Sequence, residues 1–229
     1  MIDLSRRTQE PEALDGVVAE DEIRRSLADL RFVNRWLSDS DRLVRSVRAL
    51  LEETPRPRVL DVGCGSGDLL ERIRRDIPGA PLLVGADIKH AHLKLAPPQV
   101  QAVVSDIRRL PFAPKSFDLV MVSHFLHHLD DPELPVILTR LFALCRRALV
   151  INDLERARVP YLFGRIAFPL LFSSRISMED GLVSIRRGFR ASELAAAFRK
   201  AEIPVRIARC WPYRLLAIAV REGETHGMP

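Results

Sequence analysis

The sequence predicts a doubly wound α/β domain on a mostly parallel sheet, and three observations carry that prediction. From Arg58 onward, short apolar runs alternate with amphipathic segments, the rhythm of strand–helix–strand units whose sheet is covered on both faces. The first run, VLDV at 59–62, leads straight into a glycine-rich turn, Gly63-Cys64-Gly65-Ser66-Gly67. The last two runs, 204–210 and 213–220, meet at Trp211-Pro212-Tyr213. That leaves no room for a crossover helix, so the final strand returns antiparallel.

Taken in order, residues 1–18 are polar, contain Pro11 and Gly16 and carry no motif. They read as a loose leader that orders only on contact with the domain. Between Asp21 and Leu37 the apolar residues Ile23, Leu27, Leu30, Val33 and Leu37 recur at helical spacing, and Leu43, Val44, Val47, Leu50 and Leu51 repeat the pattern in a second helix. Strands are expected at 59–62, 81–87, 100–106, 117–124 and 148–154, with helices near 67–76 and 132–145. Residues 155–190 break the rhythm and read as an insertion, followed by a helix near 191–201 and the last two strands. This gives seven strands in all. The expected division is a leader and two-helix cap over 1–54, then one domain over 55–229 with a helical insertion at about 155–190.

A chain of 229 residues accommodates one packed domain with appendages. Its net charge of +5 raises the question of a polyanionic partner. However, the pairs Arg74-Arg75, Arg108-Arg109, Arg146-Arg147 and Arg186-Arg187 fall between different elements and form no continuous basic tract. No nucleic-acid partner is expected. Cys64, Cys145 and Cys210 are far apart and lack CxxC spacing, so neither a disulfide frame nor a metal site is expected. No signal-peptide core and no membrane-span-length apolar stretch is present, so the expected location is cytoplasmic.

The chemistry concentrates where the strands end. Asp61-Val-Gly63-Cys64-Gly65-Ser66-Gly67 follows a strand and opens a helix, and its glycines let the backbone turn sharply and approach a ligand. The spacing is GxGxG with Asp68 next, which disfavours the dinucleotide fingerprint GxGxxG, and the Gly-Lys of a P-loop is absent. Asp87 ends the second strand 20 residues after Gly67, and Asp106 ends the third. Parallel strands share their C-terminal edge, so all three features meet in one crevice. The bland alternative is a plain turn with two helix-capping aspartates. The fourth strand ends at Ser123 and delivers His124, His127 and His128 to the same edge. Histidine titrates near neutrality and can take a proton from a hydroxyl. The alternative is that one of the pair only packs or caps.

At these residues the chain resembles class I S-adenosylmethionine-dependent methyltransferases of the small-molecule branch. The resemblance covers about residues 58–154 and weakens towards 220. The first motif is DVGCGSG at 61–67, and LPFAPKSFDLVMVSHFLHHL at 110–129 is typical of that branch. The resemblance implies a Rossmann-like fold and S-adenosylmethionine as cofactor, released as S-adenosylhomocysteine, with no metal. It places Asp61, Gly63, Cys64, Gly65 and Gly67 around the methionine part, Asp87 and Ile88 at the ribose, Asp106 and Ile107 at adenine, and Ser123 at the strand-four end. Similar sugar and phenol O-methyltransferases use a His-His pair with an Asp after strand five, which implies His127, His128 and Asp153. Methyl transfer is an in-line displacement that proximity largely drives. A base therefore favours O- or C-methylation.

RFVNRWL (31–37), INDLERARVPYL (151–162) and EDGLVSIRRGFRASEL (179–194) are similar to bacterial methyltransferases associated with type III polyketide synthases. That implies a phenolic, polyketide- or quinone-like, lipid-like acceptor. In that group Thr usually stands where this chain has Arg190, so a helix N-cap is expected to be lost. Tyr161, Phe163, Ile166, Phe168, Leu171 and Phe172 of the insertion offer three readings: a lid lining an apolar pocket, plain packing, or transient contact with a membrane surface. The expected function is O-methylation of a small hydrophobic acceptor. The alternatives are C-methylation of a lipid quinone precursor, or a non-catalytic cofactor-binding partner. A base-amino nucleic-acid methyltransferase is disfavoured, because its Asn/Asp-Pro-Pro-aromatic motif is replaced by SHFL at 123–126. The oligomeric state stays open.

Overall fold

The computed structural model describes residues 3–16, 18–19, 21–22, 24–26, 28–29, 40–77 and 81–221. Residues 21–22, 24–26 and 28–29 are helical, and the remainder of the first expected helix, to Leu37, lies outside the described residues. The second is α1, Ser40–Leu51.

Seven strands form one sheet in the order β3-β2-β1-β4-β5-β7-β6. They are β1 (Arg58–Val62), β2 (Leu82–Asp87), β3 (Val100–Val104), β4 (Phe117–Ser123), β5 (Cys145–Leu154), β6 (Arg206–Cys210) and β7 (Arg214–Val220). The pairs β1–β2, β1–β4, β2–β3 and β4–β5 are parallel, and β7 runs antiparallel to β5 and β6. The antiparallel return expected from Trp-Pro-Tyr is therefore in place. Strand order reverses between β1 and β4, which opens the crevice where ligands bind in such sheets.

Alternation along the central strands feeds two cores. Leu60, Val62, Val120, Val122, Leu149 and Ile151 join α4 (Leu134–Leu144) and α7 (Ala191–Lys200) on one face. Val59, Leu119, Met121 and Val150 join α1 and α2 (Asp68–Asp76) on the other. This is the two-residue period of a strand buried on both sides. The edge strand β3 is largely exposed, as only one neighbour covers it.

Boundaries differ from expectation by a few residues at strand ends. β5 begins at Cys145, which the spacing had given to the preceding helix, and β3 stops at Val104 so that Ser105 and Asp106 are free to cap a turn. A short helix, α3 (His90–Leu93), follows β2. The insertion is two packed helices, α5 (Arg158–Leu171) and α6 (Arg175–Arg187). Phe168, Phe172 and Ile185 form a small core of their own there, with Tyr161, Met178 and Leu182 packed against it. Of the residues expected to line a pocket together, Phe168 and Phe172 turn inward while Phe163 and Ile166 are exposed. The helical period separates them. The cap expected to be lost at Arg190 is rebuilt from the other side, because the Glu193 carboxylate accepts from the Arg190 backbone N–H at 2.8 Å.

The leader is tied down along most of its length. Leu4 is buried, Arg7 lies over the Phe189 ring, and the N–H groups of Ala13 and Leu14 donate to the Asp180 carboxylate of α6 at 2.7 and 2.9 Å. Lys89 Nζ, just past β2, donates to Leu14 O at 2.9 Å. The strap thus runs over the strand C-termini from α6 towards β2.

Candidate active site

Gly63, Gly65 and Gly67 have φ of 74°, 56° and 71°, the left-handed region that side chains with a Cβ rarely adopt. The turn is pinned by Gly63 N–H and Cys64 N–H donating to Ala86 O at 2.8 and 3.2 Å. A Cβ on Gly63 would come within 2.6 Å of the Phe125 ring, whereas one on Gly65 would meet open space. The floor of the crevice is therefore tight at Gly63 and vacant above Gly65. Gly63→Ala should lower cofactor affinity at least tenfold, since left-handed strain of about 1–2 kcal/mol adds to the clash with Phe125. Calorimetric titration with S-adenosylhomocysteine checks this, and unchanged affinity would refute the packing argument.

Asp87 accepts from Gly65 N–H at 2.9 Å and from Lys89 N–H at 2.8 Å, so one carboxylate shapes both the glycine loop and the turn after β2. Asp61 is buried beneath the loop, and its Oδ1 makes no hydrogen bond within the protein. Burial, and then the charge of Asp87, push its carboxyl well above the usual range. A buried carboxyl with one unpaired oxygen beside a second carboxylate is an environment suited to a cationic ligand. Cys64 is half-buried with its thiol against Gly85, and burial pushes that thiol up, away from thiolate chemistry. Ile88 is exposed, Asp106 caps the turn after β3 by accepting from Arg108 N–H at 2.8 Å, and Ile107 is buried in the core beneath it. Ser123 accepts from Asn152 Nδ2 at 3.3 Å.

The histidines divide by environment. His124 has φ 54° and directly follows β4. Desolvation and then the Arg214 charge lower its pKa, so it stays neutral. His127 is buried, and its Nδ1 lies 2.7 Å from Asp153 Oδ1 at the end of β5. Burial disfavours its charge, but the carboxylates of Asp153 and Glu12 outweigh burial and raise its pKa to about 9. Burial likewise pushes Asp153 up, yet His127 brings it down to about 2. His128 is half-buried, its ring stacked on Phe125 at 5.4 Å and beside the His127 ring at 4.5 Å. Phe125 therefore connects the glycine loop to the histidine pair.

The leader supplies a residue that no sequence pattern reveals. Glu12 is buried, with Oε1 3.5 Å from His127 Nε2 and Oε2 3.6 Å from His128 Nε2. Ser184 Oγ on α6 donates to it at 2.5 Å. Burial pushes its carboxyl up, but the contact and charge of His127, with the His128 ring and the Ser184 hydroxyl beside it, bring it below the usual range. No spacing rule links Glu12 to His127, because only the fold of the leader brings them together. Glu12, His127 and His128 also place donor atoms within 4.8 Å of one another, the one such group found among the described residues. Two guanidiniums weigh against a dication there: Arg7 and Arg187 both donate to His127 O, at 2.8 and 3.0 Å, and Arg187 also donates to His128 O at 2.6 Å. We read the cluster as ion-paired.

A family model described as a methyltransferase domain matches residues 59–148, from β1 into β5. The chain carries a methyltransferase domain. This methyltransferase is 29% identical over 184 residues to the ubiquinone biosynthesis O-methyltransferase of Hahella chejuensis, covering 74% of this chain and 72% of that protein. It is 31% identical over 91 residues to the 2-phytyl-1,4-naphtoquinone methyltransferase of Thermosynechococcus vestitus, covering 37% and 40%. Among solved structures, the plantazolicin methyltransferase BamL in complex with a triazolic desmethylPZN analog and SAH superposes with a TM-score of 0.67 at 14% identity, covering 86% of this chain and 90% of that one. Magnesium protoporphyrin IX methyltransferase (ChlM) from Synechocystis PCC 6803 with bound SAH gives 0.60 at 19% identity, covering 88% and 94%. These superpositions establish the fold, a Rossmann-like sheet with one antiparallel strand. The protein is an S-adenosylmethionine-dependent enzyme. The cofactor is a sulfonium bearing an ammonium group, and the crevice around Asp61 and Asp87 fits such a cation.

Proposed function

We propose that this methyltransferase methylates a hydroxyl on a small, hydrophobic, phenolic, polyketide- or quinone-like acceptor, with the His127–Asp153 pair as its base. The observation that carries this reading is the 2.7 Å contact between His127 Nδ1 and buried Asp153 Oδ1. It fixes the ring and leaves Nε2 as the atom that meets the acceptor hydroxyl. The cofactor supplies an electrophilic methyl group on sulfur. Asp61, Gly63, Cys64, Gly65 and Gly67 would cradle its methionine part, Asp87 with Ile88 its ribose, and Asp106 with Ile107 its adenine, with Ser123 at the crevice floor. Because Ile107 is buried, its part is to support the adenine site from below.

Residues 155–190, with the strap laid on α6, form the cover of the acceptor end. Covering the crevice excludes water and strengthens the charges inside it. His128, stacked on Phe125, borders the same space and orients the acceptor.

Glu12 lies by the same Nε2 that must be free of its proton before the acceptor can be deprotonated. With Asp153 and Glu12 on either side, His127 carries a proton until the pH nears 9. The groups facing it are Asp153, Glu12, His124 and His128, with Arg7 and Arg187 on its carbonyl. The rate on a hydroxyl acceptor should rise with pH and level off near 9. Glu12→Gln removes one of two carboxylates and should move that limb to lower pH by about one unit. If Glu12 only holds the strap in place, Tm falls and the limb stays at the same pH.

The acceptor class is tested by assaying phenols, resorcinols and reduced quinones, with mass spectrometry locating the new methyl group. Methylation on oxygen supports the reading. Methylation on a ring carbon supports the second one, C-methylation of a lipid quinone precursor, which the naphtoquinone methyltransferase match favours. Cofactor turnover with none of these acceptors refutes both.

A further inference from the structure

Helix α5 is apolar on two faces, and among the described residues only one of them is packed. Tyr161, Gly164 and Phe168 turn towards α6. Val159, Leu162, Phe163, Ile166 and Leu170 lie on the opposite side within an arc of about 100°, given 3.6 residues per turn. They are exposed, Ile166 by 74% and Leu170 by 83%. A large contiguous apolar patch of this kind marks an interaction surface. At the same edge of the sheet the turn between β6 and β7 exposes Trp211 by 81%, and Glu155 N–H donates to Tyr213 O at 2.9 Å, which ties that turn to the start of the insertion.

The charges around the stripe identify its partner. No aspartate or glutamate occurs between Glu155 and Glu179, whereas Arg158 and Arg165 in that interval are exposed; Arg175 pairs with Glu179 at 3.1 Å. Arg158 and Arg165 flank the stripe on one side. A second copy of this chain packed on the stripe would bring its own arginines against these with no acid to pair them. An anionic bilayer supplies the opposite charge to the arginines, an apolar interior for the stripe, and an interfacial level suited to tryptophan. No described helix is long and apolar enough to cross a membrane.

We infer that the outer face of α5, together with Trp211, docks this methyltransferase on an anionic lipid surface, next to the edge where β5 delivers Asp153. The acceptor end of the crevice then faces the bilayer, so a lipid-like acceptor reaches it without crossing water. The orientation rests on the proposed acceptor class, whereas the docking surface stands without it.

The test is flotation of the full-length protein with vesicles of phosphatidylglycerol and phosphatidylcholine, compared with phosphatidylcholine alone, at low and high salt. Binding should require phosphatidylglycerol, weaken with salt, and fall at least tenfold in the Ile166→Asp/Leu170→Asp variant. S-adenosylhomocysteine affinity and Tm should stay at wild-type values in that variant, since neither position touches a core. Vesicle binding that the variant retains would overturn the assignment to α5. Absence of vesicle binding, or a dimer by light scattering that the variant dissociates, would overturn the lipid partner. Wild-type binding combined with inactivity on quinols and phenols would support docking and count against the acceptor class alone.

Discussion

Asp153→Asn should lower turnover on a hydroxyl acceptor by about 10²- to 10⁴-fold while S-adenosylhomocysteine still binds within about threefold of wild type. Asp153 is fully buried and accepts from His127 N–H at 3.2 Å and Leu154 N–H at 2.7 Å besides its 2.7 Å contact to His127 Nδ1. Asparagine preserves the shape but carries no charge, so the imidazolium loses its buried counterion. The ring is then free to take the other tautomer, with Nε2 protonated and unable to act as base. His127→Ala should match it, because the two act as one unit, and the double variant should be little worse than either. His128→Ala should also lower turnover while leaving cofactor binding nearly intact.

The same pair links stability to pH with a defined sign. Raised from 6.5 to about 9, His127 contributes stability that is fully present below pH 6.5 and lost as pH rises through about 9. Lowered from 3.8 to about 2, Asp153 contributes stability present above 3.8 and lost as pH falls through about 2. Wild-type Tm should therefore decline from pH 6.5 to 9, and Asp153→Asn should flatten that decline. A variant with wild-type turnover would remove the base from the proposal. One with lowered Tm, an unchanged pH slope and turnover recovered on cooling would reduce Asp153 to packing.

Asp87→Ala should weaken S-adenosylhomocysteine binding by at least about 10- to 150-fold, since a hydrogen bond to a charged group is worth about 1.5–3 kcal/mol and about 1.4 kcal/mol is tenfold. Two losses add. The alanine removes the acceptor we place at the ribose hydroxyls. It also releases Gly65 N–H and Lys89 N–H, now held at 2.9 and 2.8 Å, so the left-handed loop loses its tether to the end of β2. Asp87→Asn, which keeps one oxygen acceptor, should fall between wild type and alanine. Calorimetry measures both, with NAD as the control ligand expected not to bind. If Asp87→Ala bound the nucleoside product as tightly as wild type, the ribose placement would be wrong.

What the sequence determined by itself is local or periodic. The run from Val59 to Gly67 encodes a strand, a turn that needs three positive φ values and a helix start, each within a few residues. Alternating apolar runs specified the sheet, and the short Trp-Pro-Tyr link specified the antiparallel return of β7. Because parallel strands end on one edge, the convergence of Asp87, Asp106 and the histidines could be read without coordinates. Tertiary structure decided what depends on contacts between distant segments. It separated His127, paired with Asp153, from His128, stacked on Phe125, although the two are neighbours in sequence and alike in residue type. It turned Phe163 and Ile166 outward and Phe168 and Phe172 inward, because packing on α6 selects one helix face. And it brought Glu12 to the histidines, since a leader without periodicity is placed only by the partners it meets: Asp180, Ser184 and Arg187 on α6.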